Sequence, residues 1–143
     1  MLIEAAAAAA GVGIACLARS QYERKALSVE RVSIISPKLQ SPKTFVFLSD
    51  LHNNEFGPEN AGLIEAIDRV RPDAVLSGGD MMVTKEGKAE TEVPLELFRA
   101  LAQRYPVYCG NGNHESRMLW KRDAYGDAYG RYQKELRAMG VVC

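Results

Sequence analysis

Three short apolar runs in this chain each stop at side chains that can ligate a metal ion. Leu48-Ser49 gives way to Asp50-Leu51-His52, Ser77-Gly78-Gly79 to Asp80, and Gly110-Asn111-Gly112 to Asn113-His114-Glu115. Carboxylate, imidazole and amide oxygen together suit divalent ions such as Mn, Fe or Zn better than a soft-sulfur site would. Taken singly these residues say little, because an Asp after a strand is usually a turn or cap residue. A lone His is likewise more often structural than catalytic. Their joint occurrence carries the weight: the chain has 2 histidines, and both lie in these loops. Asp50-x-His52 presents both side chains to one side if that segment stays extended, since a strand repeats every second residue. Gly78-Gly79 and Gly112 let the backbone turn tightly and let other groups come close.

For such distant loops to meet, parallel strands must bring their carboxyl ends to one edge of a sheet, where ligands of open α/β sheets bind. The hydrophobic pattern supplies those strands. Leu27 to Ile35 is rich in β-branched residues and predicts a first strand. Thr44 to Leu48 is a short apolar run, which predicts a strand buried on both faces. After the polar loop Asn53 to Asn60, a helix is expected from about Glu59 to Val70, with Ala61, Ile64, Ile67 and Val70 inward and Pro72 stopping it. Asp73 to Ser77 is the next strand. A polar loop containing Lys85, Gly87 and Lys88 leads to a helix opened by Pro94, whose face uses Leu97 or Phe98, Leu101 and Tyr105. Pro106 to Cys109 reads as a strand. A last helix from about Asp123 to Met139 aligns Tyr125, Tyr129, Tyr132, Leu136 and Met139, and Val141 to Cys143 reads as the start of a strand. Strands alternating with helices predict an α/β fold with right-handed crossovers.

Composition agrees with a globular chain: 143 residues, 47% apolar and 25% charged, with 18 basic and 18 acidic side chains. That balance gives no electrostatic footprint for nucleic acid, so no such partner is expected. Cys16, Cys109 and Cys143 are odd in number and far apart, which makes neither a disulfide framework nor a zinc clip. Cys109, at a strand end, reads as a small buried thiol.

Residues 1–19 stand apart. Leu2 to Ala18 is weakly apolar, broken by Glu4, and its alanine run favours helix. At about 1.5 Å per residue it spans about 25 Å, slightly short of a hydrocarbon core of about 30 Å. A membrane anchor through residues 2–18 is the leading reading, which makes the protein membrane-associated. A cleaved signal peptide lacks its positive n-region, and an Ala-rich soluble helix is the third possibility. Arg19, Arg24 and Lys25 vote weakly for a cytoplasmic catalytic portion, but Glu23 and Glu30 offset them, so the membrane side stays open. Residues 20–43 are read as linker and first strand, and 44–143 as the catalytic portion.

The order Asp50-x-His52, Gly79-Asp80, Gly112-Asn113-His114-Glu115 resembles the calcineurin-like metallophosphoesterase superfamily. The Leu48 to His52 start and the apolar N-terminus are similar to its bacterial, membrane-associated branch. The resemblance implies a two-sheet sandwich flanked by helices (αββα), of which this chain supplies the first half. It implies a hydrolase acting on phosphomonoesters or phosphodiesters with two divalent ions, Mn, Fe or Zn. Asp50 and His52 would bind the first ion, Asp80 would bridge both, and Asn113 would bind the second. His114 would stand beside the scissile phosphate as general acid or charge stabiliser, with Glu115 orienting its ring. Two ions about 3.5–4 Å apart can clamp a phosphate and lower the pKa of bound water.

The family pattern continues with a further His and a Gly-His-x-His motif, and no histidine follows His114 here. The second ion keeps Asp80 and Asn113, fewer than the roughly three protein ligands usual at catalytic sites. The chain alone is therefore expected to be inactive, and poorly soluble if a sheet face lies bare. Two alternatives follow: a truncated, inactive, membrane-tethered metal-binding or interaction module, and self-assembly completing the site from a second chain. Arg117, Trp120, Lys121 and Arg122 read most simply as a solvated helix face. Substrate-binding residues stay open.

Overall fold

The structure, a computed structural model, describes the backbone of residues 2–143, with side chains from Gly11 onward apart from Gln21, Arg24 and Lys25. The chain divides into two units, residues 1–30 and 31–143. The first is built on α1 (Leu2–Lys25). The alanine run does form helix, and Gly11 to Ser20 are exposed along it. No helix among the described residues is long and apolar enough to cross a membrane. The anchor expected through residues 2–18 finds no support there, and the side chains of residues 2–10 lie outside the described residues.

The second unit runs β1 (Phe45–Leu48), α2 (Ala61–Val70), β2 (Ala74–Ser77), β3 (Val83–Lys85), β4 (Lys88–Glu90), α3 (Glu92–Ala102), β5 (Val107–Cys109), α4 (Asn113–Trp120), α5 (Arg122–Tyr125) and α6 (Ala128–Ala138). Strands β1, β2 and β5 form a parallel sheet in that order, and β3 and β4 a separate antiparallel hairpin. The α/β reading therefore holds for strands β1, β2 and β5 and the helices between them. Register explains which face is buried. Val46, Val75 and Val107 are aligned partners, and all three pack into the core with Leu63, Ile67, Leu97, Phe98, Leu101, Met118 and Leu136 from the helices. Leu63, not Ala61, shares the inward face of α2 with Ile67.

The next row across the sheet is Phe47, Leu76, Tyr108 and Val142, the last joined by an isolated parallel bridge. This row faces outward: Phe47 is 67% exposed, Tyr108 47% and Val142 58%. The expectation that Thr44 to Leu48 is buried on both faces is corrected, because helices cover only one. Parallel sheets ordinarily have both faces covered, so this one carries a bare apolar surface.

The strand expected over Leu27 to Ile35 does not form, and Val32, Ile34 and Ile35 are 84%, 84% and 98% exposed. β-branched residues favour a strand only where neighbouring backbone takes up its N–H and C=O groups, and none pairs with this segment. The polar loop around Lys85 to Lys88 is instead a tight hairpin, with Glu86 (φ 50°) and Gly87 (φ 77°) both left-handed at its turn, as two-residue hairpins demand. The last helix is broken into α5 and α6 at Gly126 (φ 57°, ψ −130°). Cys109 and Cys143 form a disulfide, tying β5 to the Val142 bridge. That corrects the reading of Cys109 as a free thiol, and Cys16 is the exposed free cysteine.

Candidate active site

Because β1, β2 and β5 are parallel, their carboxyl ends share one edge, and the loops leaving them lie side by side. The loop after β1 runs along the loop after β2: the Asp50, His52 and Asn53 N–H groups donate to the Gly79, Asp80 and Met81 carbonyls, each at 3.1 Å. On the other flank the Gly110 N–H donates to the Ser77 carbonyl at 2.8 Å. The three sequence motifs therefore meet in strand order.

This lacing requires unusual backbone. Asp50 (φ 57°), His52 (φ 49°), Asn53 (φ 57°) and Asp80 (φ 53°) are all left-handed, at a cost of about 1–2 kcal/mol for an ordinary residue. Asp, Asn and His are the side chains most often found there, and such strain collects at functional sites. The Asp50-x-His52 segment is thus not extended as expected. The side chains meet all the same, with His52 Nε2 3.5 Å from Asp50 Oδ1. Glycine is obligatory where the second and third loops touch. Gly79 has φ 93°, and a Cβ there would collide with the Gly112 backbone, while one on Gly112 would strike Asp80.

Asp80 sits at the amino end of α4. Its Oδ1 accepts the His114 N–H at 2.7 Å. Burial pushes its pKa up, but the His114 and Asn113 backbone donors outweigh this and hold the carboxyl below its ordinary value. The helix dipole acts in the same sense. Asn113 is exposed at the first position of α4.

Glu115 plays a different part from the one expected. It is buried, and its carboxylate accepts three backbone N–H groups: Asp80 at 2.8 Å, Met81 at 3.1 Å and Gly112 at 2.9 Å. The Gly112 bond is the helix-capping contact of a glutamate in the first turn. Glu115 is a clasp between two loops, not the partner of the His114 ring. That partner is Thr84, on β3, whose N–H donates to His114 Nδ1 at 2.8 Å and whose Oγ1 lies 2.9 Å from the same nitrogen. Arg117 Nη1 in turn donates to the Thr84 carbonyl at 3.1 Å and to Oγ1 at 3.4 Å. Arg117 is therefore no part of a solvated face, whereas Trp120, Lys121 and Arg122 are exposed. The His52 and His114 rings meet edge to face, 5.1 Å between centroids. No spacing in the sequence points to Thr84; the Glu115 clasp was legible only as a first-turn glutamate.

A family model described as calcineurin-like phosphoesterase matches residues 43–143. The chain belongs to the calcineurin-like phosphoesterase family. Comparison with curated proteins and with solved structures gave no significant match. The matched span contains all three ligand-bearing loops, and the chemistry of calcineurin-like phosphoesterases at the family level is metal-dependent hydrolysis of phosphoesters.

The donor set fits divalent ions by type: two carboxylates, an imidazole and an amide at one sheet edge. By position the set is open. Among the described residues no three His, Cys, Asp or Glu side chains are gathered closely enough to hold a metal ion. The carboxylates are turned to protein partners: Asp50 Oδ2 accepts the Ser49 hydroxyl at 2.6 Å, and Asp80 Oδ1 faces the amino end of α4.

Proposed function

We propose that residues 43–143 supply one wall of a phosphoester-hydrolysing site, with Asp50 and His52 holding one divalent ion, Asp80 shared, and Asn113 on a second. The observation that carries this reading is the convergence of the His52 and His114 rings, 5.1 Å apart, from loops far apart in the chain. Bound ions would supply positive charge to the phosphoryl oxygens. The chain's own contribution is to hold donors on a rigid edge and to aim His114 Nε2 into the crevice beside the leaving oxygen, as proton donor or charge stabiliser. Asp80 stays ionised there because α4's backbone donors favour its charged form. Asp80 and Asn113 leave the second ion short of the usual complement of about three protein ligands. Further donors must come from outside these loops for turnover.

The test is calorimetric titration of the purified chain with Mn or Zn, alongside hydrolysis of p-nitrophenyl phosphate and its bis ester. Binding that is lost in Asp80→Asn and His52→Ala supports the site; unchanged binding in Asp80→Asn overturns it. A second reading, a metal-binding module without catalysis, is favoured by the ungathered ligands. It predicts binding with neither ester hydrolysed, even when further donors are provided by the rest of a longer chain or a second copy.

A further inference from the structure

The hairpin β3–β4 and the helix α4 meet at one set of contacts that the family match does not assign. The Thr84 N–H can only donate, so His114 Nδ1, at 2.8 Å, must be the acceptor. A neutral imidazole carries one proton, and here it is left to Nε2. Arg117 adds a direction. Its guanidinium donates to Thr84 Oγ1, which leaves the hydroxyl proton free to point at Nδ1 as a second donor, 2.9 Å away. Thr84 is 2% exposed, so water does not compete for that hydroxyl. Thr84 faces Ala89 across the hairpin, and its N–H is spent on the ring instead of the ladder.

We infer that Thr84, held by Arg117, is the positioning residue that fixes both the aim and the tautomer of the neutral His114 ring, so that an Nε2–H donor faces the crevice. This deepens the phosphoesterase reading and rests on it only for what the donor meets, a phosphoryl or leaving oxygen. Glu115, the obvious candidate by sequence, has both carboxylate oxygens committed to backbone. The role passes to a hairpin whose turn is formed by Glu86 and Gly87.

The test is a long-range proton–nitrogen correlation spectrum of the nitrogen-15-labelled, metal-free chain. It is recorded in the alkaline range over which the histidine signals no longer change with pH, so that only neutral rings are seen. His52→Gln assigns the His114 signals. The wild type is expected to show the proton on Nε2 and a bare Nδ1. Thr84→Val, which keeps the N–H and loses the hydroxyl, is expected to lower the tautomer ratio about fivefold, the factor given by one neutral hydrogen bond. Thr84→Ser restores it. Arg117→Met moves the ratio the same way, and Arg117→Met/Thr84→Val lies at or below Thr84→Val alone, because Arg117 also holds the Thr84 carbonyl. A wild-type proton on Nδ1 overturns the inference, as does a His114 spectrum unmoved by Arg117→Met. That second variant decides the matter if Thr84→Val does not fold. Neither result depends on metal or substrate, so a failure of the phosphoesterase reading shows separately, as absent metal binding.

Discussion

Removing the Glu115 carboxylate tests how the site is held together. Glu115 is 1% exposed, and three backbone N–H groups converge on it at 2.8–3.1 Å. Hydrogen bonds to a charged acceptor are worth about 1.5–3 kcal/mol each, and an orphaned buried donor costs about 1–3 kcal/mol. Glu115→Ala strips three. The Asp80 and Gly112 donors lie in part-buried loops, where water can replace some of the loss, so the expected destabilisation is about 3–5 kcal/mol rather than the full sum. Glu115→Gln keeps the shape but turns an amide N–H₂ toward one backbone donor while the two remaining bonds lose their charge; the expected loss is about 2–4 kcal/mol. Against a total stability of about 5–15 kcal/mol for a domain, either is large. Urea unfolding followed by far-UV circular dichroism measures both, and melting temperature should fall by about 4 °C per kcal/mol. A Glu115→Gln variant within about 0.5 kcal/mol of wild type would refute the clasp, since surface substitutions fall in that range.

Other consequences are equally accessible. Asp80 and Asp73 are held below the ordinary carboxylate pKa of 3.8, Asp73 chiefly by the Lys43 ammonium and the Thr44 N–H. Depressed folded-state pKa values stabilise above the unfolded value and lose that contribution as pH falls through the folded one. Urea midpoints should therefore drop below about pH 4, less steeply in Asp80→Asn. Gly79→Ala combines a positive φ with a backbone collision and should cost more than about 2 kcal/mol by thermal shift, beyond the usual 1 or so for a lost αL glycine. Phe47→Thr puts a smaller, polar strand former on the bare sheet face; dye binding by exposed apolar surface should fall and solubility rise, with unchanged helix content by circular dichroism.

The parts of this fold visible in the sequence are those where a short apolar run ends in a polar ligand, as at Leu48, Ser77 and Cys109. Local pattern alone specifies them. What stayed hidden depends on partners remote in sequence. Leu27 to Ile35 has strand composition but no neighbouring strand. Helix α4 buries Glu115 and Met118, so its inward face contains a charge and escapes a hydrophobic-periodicity reading. The 34-residue separation of Cys109 and Cys143 conceals that their Cα atoms lie 4.6 Å apart. Asp50, His52, Asp80 and Asn113 were legible by type and loop, whereas the bonds that turn Asp50 toward Ser49 and Asp80 toward α4 were not. Thr84 lies in a run of charges that read as a solvated loop, and only its place opposite His114 gives it a role.

The back-to-back glycines set a limit on how this crevice can be remodelled. Where Gly79 meets Gly112 there is main chain against main chain, and the Asp80 carboxyl packs against Gly112. The width between the second and third loops is thus a fixed gauge. Changing ligand length, for instance Asp80→Glu, would overshoot by one methylene, and the wall could not retreat to absorb it.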